Sequence, residues 1–500
     1  MRQVDHSMSF LNRAIGTVAP ATALRRHAAQ LQLRAYLSGA DTGRHTGDWR
    51  KIGVDAEDVW QSDGGKLRER ARFLCTANQY AKAALDTLFE MMVGTGIHTQ
   101  CRIHFTDDVK KNDLANQAVE DQKKRWMEYD CDSAGDGYAK MNWYEMQELV
   151  SRSSMRDGEV LVIRRTQRKP TSGVPLAYQI VDASRLSTSA FKSATGGEIA
   201  DGIEYDGLGR PVAYHIDANS GYQTKTEIIP ARFVNHIFRR DWVDQRRGWS
   251  WFAPVIPSIY QVSDVIEYAL IARKVQSAIA LIITQSGMGG GTIPGFGGDT
   301  DANTVKKQYI EPGLILREPN GATVHSHVPT PSSDLDQLTA LLLRGVAAGL
   351  GLSYEYLSGN YSAMNFAGGR IAGLSTKRHA EWGNAWFVRA HERPFHRDWV
   401  DYATLANVIP IAPRQADQYA AEFSRPRIEF AVNPQQEVRS ALLRMDAGLS
   451  SLQQEIENGG GDIGETLTSI QRSIARGDAA DLVIHQALRA DDFTGGDTDG

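Results

Sequence analysis

Residues 254–284 read PVIPSIYQVSDVIEYALIARKVQSAIALIIT, with no glycine and, after Pro257, no further proline. Val255, Ile259, Val262, Ile266, Ala269 or Leu270, Ala272, Val275, Ile279 and Ile282 or Ile283 recur at helical spacing, while Asp264, Glu267, Lys274 and Ser277 fall largely off that stripe. The pattern predicts one helix of about 30 residues, about 45 Å long at 1.5 Å per residue. That length exceeds what a compact core needs, so its stripe calls for partners outside its own chain. Glu267, Arg273 and Lys274 lie within the most apolar stretch, where each is costly at the centre of a bilayer, so the segment reads as a helix in water and not a membrane span.

Downstream stands GMGGGTIPGFGG, 287–298, rich enough in glycine to suggest a dinucleotide loop. That fingerprint needs a strand before it, whereas here the sequence predicts a helix, and Pro294 sits where a phosphate-binding helix would begin. A plain connecting loop follows. Strand-like pieces at 309–316 and 322–328 come next, then Ser333 and Asp336 as a capping box before a helix through Leu335, Leu338, Leu341, Leu342 and Val346 to Gly349. GLSYEYLSGNYSAMNFAGGRIAGL separates it from a further helix predicted from about Gly369 to Arg393 and broken by Pro394. Asn433-Pro434 with Gln436, then Ser450 with Gln453, open helices of a small C-terminal lobe, and the end, DDFTGGDTDG, is acidic.

Upstream, Leu67, Phe73 or Leu74, Ala77, Ala81, Ala84 or Leu85, Leu88 and Met91 or Met92 predict one long helix from Lys66 to Val93, stopped by Gly94 and Gly96. Helices are expected at 113–129 and 142–156. After Asp157-Gly158 the period becomes that of strands, at 159–165, 176–182, 202–205, 211–216 and 228–238, with Asp206-Gly207 supplying a turn. Residues 1–63 show no clear strand and read as a peripheral arm.

The 500 residues carry 55 Lys plus Arg and 60 Asp plus Glu, a net charge of −5, which argues against a polybasic nucleic-acid binder. Hydrophobic content of 42% and charged content of 23% exclude wholesale disorder. Cys75, Cys101 and Cys131 are far apart with no Cys-x-x-Cys pair, so neither a disulfide framework nor a zinc site is expected, and the N-terminus lacks a signal-peptide core. No phosphate loop, HExxH or GxSxG occurs, so catalytic, cofactor and metal residues are expected to be absent. His391 and His396 in HERPFH have the wrong spacing for a helical zinc site and read as surface or interface histidines, and His325 and His327 lack a third ligand. Trp242, Trp249 and Trp251 among Arg239, Arg240, Arg246 and Arg247 suit either nucleic-acid stacking or, preferably, a subunit interface.

Four stretches resemble the lambda-type family of tailed-bacteriophage portal proteins. RARFLCTANQYAKAALDTLFEMMVGTGI is similar to the family's first long helix and VGxGI exit, and IPARFVNHIFRRDWVDQRRGWSWFAPVI to its HiF, QxRG and following proline. GLGLSYEYLSGNYSAMNFAGGR resembles its YExLsgdyS segment, and AVNPQQEVRSALLRMDAGLSSLQQEIENGGGD its terminal helices. Ala367 and Gly368 replace the usual serine pair, which puts a hydroxyl role there in doubt, and Asn433-Pro434 replaces Asp-Pro, which keeps an N-cap.

The resemblance implies an α+β portal fold, with mixed wing domain, long stem helices, small clip and helical crown, assembled as a homododecameric ring at one capsid vertex. Carried onto this sequence, 64–253 is wing, 254–284 and 334–350 are stem, and 285–333 is clip. Residues 351–368 hold the channel loop, 369–433 a wing or channel helix and its return, 434–476 the crown, and 477–500 a mobile acidic tail. Implied stem positions are Asp264, Ile266, Glu267, Lys274 and Ile279. Implied clip positions are Gly289, Gly291, Gly298, Tyr309 and Glu311. Channel-loop positions are Asn360, Tyr361, Ser362, Met364, Asn365 and Phe366, and interface positions Trp242, Arg246, Arg247, Trp249 and Trp251.

Implied partners are double-stranded DNA without sequence preference, the terminase large subunit, head-tail connector proteins, and the major capsid or scaffold protein. The implied locations are the portal vertex of the virion and the host cytoplasm during assembly. The acidic balance suits a conduit, because every fixed cation paired to a phosphate would hold DNA that must slide. Two other readings stay open at this point, a glycine-rich α/β oxidoreductase and a different virion ring such as a head-tail adaptor.

Overall fold

The computed structural model describes residues 56–479, apart from 107, 134–140, 168–169, 188–196, 219–224, 284–313, 318–333, 363–364, 410–418, 425, 427–433, 460 and 462. The chain divides into a unit of Met1–Asp58, of which only Ala56–Asp58 are described, and a second of Val59–Gly500.

The first expected helix is two, α1 (Ala56–Ala77) and α2 (Gln79–Met92). Asn78 makes the break. Its backbone is extended, its side-chain oxygen accepts from the N–H groups of Tyr80 and Ala81, and its amide donates to Ser263 Oγ at 2.7 Å. A local Asn cap that also finds a distant partner outweighs a continuous apolar stripe. Strand β1 (Thr99–Cys101) follows, then α3 (Val109–Tyr129), capped by Asp108, and α4 (Trp143–Arg156), opened by an Asn142–Glu145 capping box. The α4 stripe buries Trp143, Met146 and Val150 as its spacing predicts.

The strands within 159–238 form two antiparallel sheets. One has the order β3-β2-β8, from β2 (Glu159–Thr166), β3 (Leu176–Val181) and β8 (Val234–Phe238). The other is a meander of β4 (Glu198–Ala200), β5 (Ile203–Tyr205), β6 (Pro211–Ala218) and β7 (Lys225–Pro230). The single strand expected at 228–238 is therefore β7 and β8 in different sheets. Pro230 ends the β7 ladder opposite Ala213, and a 3-10 turn at Ala231–Phe233 redirects the chain. Strand β2 reads as an unbroken apolar run because both its faces are covered. Val160 and Val162 join the main core, while Leu161 and Ile163 join a smaller core shared with Ile203, Tyr214 and Ile229.

Next come α5 (Ile256–Ala278), β9 (Ile279–Ile283), β10 (Leu314–Arg317), α6 (Asp334–Leu350), α7 (Tyr354–Ser358) and α8 (Phe366–Phe387). Helix α8 starts three residues before the expected Gly369, because Asn365 caps it by accepting from the Gly368 N–H at 2.7 Å. Pro394 does not break it. A π-helical turn at Val388–Glu392, with the Arg393 N–H donating to Val388 O, leads directly into α9 (Arg393–Leu405). The wider turn admits the proline ring, and the proline then serves in the first turn of α9. Strand β11 (Ala421–Phe423) pairs antiparallel with β1, and α10 (Pro434–Asp446), α11 (Leu452–Asn458) and α12 (Ile463–Ala479) end the described chain. The expected capping box before α11 lies one residue later, at Ser451 and Gln454.

The main core centres on Trp126, Trp143, Tyr178 and Phe395, with Tyr178 and Phe395 rings 4.3 Å apart. His391 and His396 belong to it. Each is only 1% exposed, which corrects the expectation of surface histidines. His391 stacks on Phe387 and bonds Glu392 at 2.6 Å, and His396 Nδ1 lies 3.3 Å from Lys123 Nζ. The three cysteines are free and buried, and burial pushes each thiol up to about 12.

Candidate functional site

Helices α5 and α6 lie against each other, the start of α5 beside the end of α6. Ile256, Ile259 and Val262 of α5 are buried with Val346, Ala347 and Leu350 of α6. A Cβ on Gly349 would come within 2.5 Å of Val255 Cγ1, so a side chain there would displace Val255. Farther along both helices, large apolar side chains on and off that stripe are exposed. Tyr268, Leu270 and Ile271 of α5 are exposed, as are Leu338 and Leu341 of α6, with Leu270 at 56% and Leu341 at 63%.

The helix is shorter than expected. It ends at Ala278, about 35 Å from its start at 1.5 Å per residue. Ile279–Ile283 form β9, parallel to β10, because the run IALII favours a pleated ladder once a second strand is available. Ile279 therefore stands on a strand, not on the helix. Asp264 and Ile266 are half-buried, and Glu267 and Lys274 exposed. The strand that a dinucleotide loop would require is thus present before GMGGG, which corrects one argument against that reading. Gly289, Gly291, Gly298, Tyr309 and Glu311 lie outside the described residues, as do His325, His327, Ser333 and Asn433.

After α6 the chain turns at Gly351, whose φ of +72° and whose contact with the His379 ring, 2.3 Å from an added Cβ, both exclude a side chain. Helix α7 is stopped by Gly359 in the left-handed region. Asn360, Tyr361, Ser362 and Asn365 then form an exposed loop, with Asn360 Oδ1 accepting from the Ser362 N–H and hydroxyl. Tyr361 is 54% exposed and meets Tyr356 edge-on, ring centroids 6.5 Å apart. No Lys or Arg occurs from Gly351 to Gly369. Phe366 belongs to the first turn of α8 rather than to the loop, and Met364 lies outside the described residues.

The Trp and Arg tract divides. Arg247 is buried and surrounds Glu159 together with Arg68, His236 and the Gly248 N–H. Burial alone would raise the Glu159 carboxyl, but Arg247 and His236 outweigh it and hold it well below the usual carboxylate range. Trp60 covers Arg247 with its ring, 4.0 Å from the guanidinium carbon, and donates to Gly248 O at 3.1 Å. Trp251 is buried beside Trp386. Arg247 and Trp251 are thus core residues of their own chain, which corrects their place among interface positions. Trp242 and Arg246 keep surface, and Trp249 is half-buried against Trp242.

Among the described residues no cluster of His, Cys, Asp and Glu could hold a metal, and no helix is long and apolar enough to cross a membrane. Residues 42–382 match the family described as "Phage portal protein, lambda family". The chain belongs to that family. A relative named "Probable portal protein", from Halomonas phage phiHAP-1, is 23% identical over 435 residues, 84% of this chain and 82% of the relative. Among solved structures, one titled "Neck of native GTA particle computed with C12 symmetry" is 15% identical and covers 79% of this chain and 94% of its own, with a TM-score of 0.38. Another, "Virion of native gene transfer agent (GTA) particle", is 14% identical and covers 80% and 97%, with a TM-score of 0.36.

Within this portal chain the structure brings Asp264, Ile266 and Glu267 onto one helix next to α6, and groups Asn360, Tyr361, Ser362 and Asn365 in one loop. It separates both sets from the Trp and Arg tract by sequence and by element. Sequence reasoning missed Glu159, Arg68 and Trp60, which hold that tract in place. A carboxylate opening the apolar run EVLVI carried the signal for Glu159, since a charge beside a doubly buried strand needs partners. Trp60 was assigned to the peripheral arm, yet its contacts lie with Gly248, Arg68 and Arg247.

Proposed function

We propose that this portal protein forms a homododecameric ring at one vertex of a phage or phage-like capsid, through which double-stranded DNA is packaged and ejected. The observation that carries the reading is the uncovered apolar end of the α5–α6 pair. Tyr268, Leu270, Ile271, Leu338 and Leu341 lie on neighbouring helices, and apolar surface of that kind is ordinarily covered by a partner. In a ring the partner is the same chain. Residues 64–253 then serve as wing, α5 and α6 as stem, 285–333 as clip, 351–368 as channel loop region, and α10 to α12 as crown. The terminase large subunit docks at the clip and is later replaced by head-tail connector proteins, while the outer wing meets the major capsid or scaffold protein. The role is structural, not catalytic. Its places are the portal vertex of the virion and, during assembly, the host cytoplasm.

The charge supports passage over retention. At −5 per chain the dodecamer carries about −60, which repels DNA along the wall. The exposed loop offers an aromatic and amide surface without a cation. Asn360→Lys with Ser362→Lys places two cations per subunit there while leaving the Asn365 cap intact. If the loop faces DNA, packaging slows or stalls and is restored at higher salt, since each added phosphate contact steepens the salt dependence by about one unit. Unchanged packaging rate and extent across salt, in particles that assemble normally, would remove the loop from the channel.

A further inference from the structure

A cleft of about 480 Å³ lies between the β5–β6 hairpin, strand β8 and the loop that follows β8. Tyr205, Tyr214 and Phe238 line it, with the Arg246 guanidinium carbon 4.4 Å over the Tyr205 ring and that of Arg240 5.5 Å over the Phe238 ring. Two exposed apolar residues stand at its edge, Leu208 at 79% and Val243, just outside the lining, at 88%. Both rim loops are held open by internal bonds. Asp206 accepts from the N–H groups of Leu208 and Arg210, and Gln245 accepts from those of Asp241 and Trp242 while donating to Arg239 O and Arg247 O.

The charges leave room for an anion. Among the described residues Arg240 has no carboxylate partner, and Arg246 reaches only the exposed Glu198, at 3.8 Å. Asp244 is the carboxylate within the lining. Aromatic walls, exposed apolar residues at the edge and arginines stacked on rings are the composition of a protein-recognition hot spot, and the guanidiniums favour a carboxylate-bearing occupant.

We propose that this cleft binds the acidic end of the same chain, residues 490–500, ADDFTGGDTDG. That stretch has four aspartates, one aromatic residue and no Lys or Arg. Phe493 directly follows Asp491 and Asp492, so one aromatic anchor enters between the Tyr205 and Phe238 walls as two adjacent carboxylates reach Arg240 and Arg246. Gly495 and Gly496 let the backbone turn past the rim. The proposal stands whether or not the chain closes into a ring.

The full chain carrying Phe493→p-benzoylphenylalanine tests it, by irradiation, digestion and mass spectrometry. Adducts are expected within 205–214 or 234–246. Arg240→Glu with Arg246→Glu should cut their yield about tenfold, as attraction at two rim charges becomes repulsion, without altering the melting temperature, and Asp491→Lys with Asp492→Lys added to that chain should restore it. Adducts confined to other regions, a yield unaffected by the arginine exchange, or no recovery on charge reversal would each overturn the proposal.

Discussion

Glu159 and His396 show how single buried groups set the behaviour of this chain. Replacing Glu159 by Gln leaves Arg68 and Arg247 buried without a counter-charge, a change that costs about 3–5 kcal/mol. The melting temperature at pH 7 should fall accordingly. Because the folded carboxyl titrates well below its ordinary 4.5, its contribution is complete above that pH and disappears as pH falls through the folded value. The gap between wild type and Glu159→Gln should therefore narrow in acid, and a gap constant from pH 7 to pH 3 would contradict the ion-pair account. His396 works from the other side. Burial first, then Lys123 and Arg397, hold it well below its ordinary 6.5, so the folded chain keeps it neutral while the unfolded chain takes up a proton. Stability then rises with pH up to about 6.5, by at most about 1.4 kcal/mol per pH unit for one group. His236, also depressed by burial, adds to the same slope. His396→Gln should show a smaller dependence of melting temperature on pH between 5 and 6.5, and an unchanged slope would rule His396 out as its source.

At the scale of elements, the strongly patterned segments were legible and their ends were not. The α4 stripe and the β2 and β3 runs follow from periodicity, which reports the face an element buries. Asn78, Pro230 and Pro394 were misread because each has two uses. Asn78 caps a new helix where the apolar stripe continued, Pro230 ends a ladder inside a β-rich run, and Pro394 joins two helices through a π turn. None of these follows from spacing, since each depends on a partner or a turn elsewhere. The same distinction governs how the α5–α6 surface is tested. Ile266 packs partly against the chain's own core, so Ile266→Asp would damage folding and assembly together. Leu270→Asp with Leu341→Asp alters only exposed side chains, and should change monomer stability by no more than about 0.5 kcal/mol each. It should abolish higher assembly in light scattering. Assembly at wild-type levels would show that this end of the pair faces solvent.

For the whole molecule, the family was readable because its stretches fall in order along the chain, from RARFLCTANQYAKAALDTLF, across the end of α1 and the start of α2, to the helices after Asn433-Pro434. The residues that carry its surfaces were only partly readable. Arg247 and Trp251 share the composition of an interface, yet a buried glutamate and an aromatic core claim them, and sequence composition does not distinguish an interface between chains from one within a chain. Asn360, Tyr361 and Ser362 stand exposed together. In the ring proposed above, the exposed apolar side chains of α5 and α6 are covered by the next copy of the chain. Electron microscopy of the purified full-length protein, classified without imposed symmetry, tests that claim directly. Closed rings with a central channel are the result this account predicts, and a population of monomers or open, irregular oligomers at micromolar concentration would contradict it.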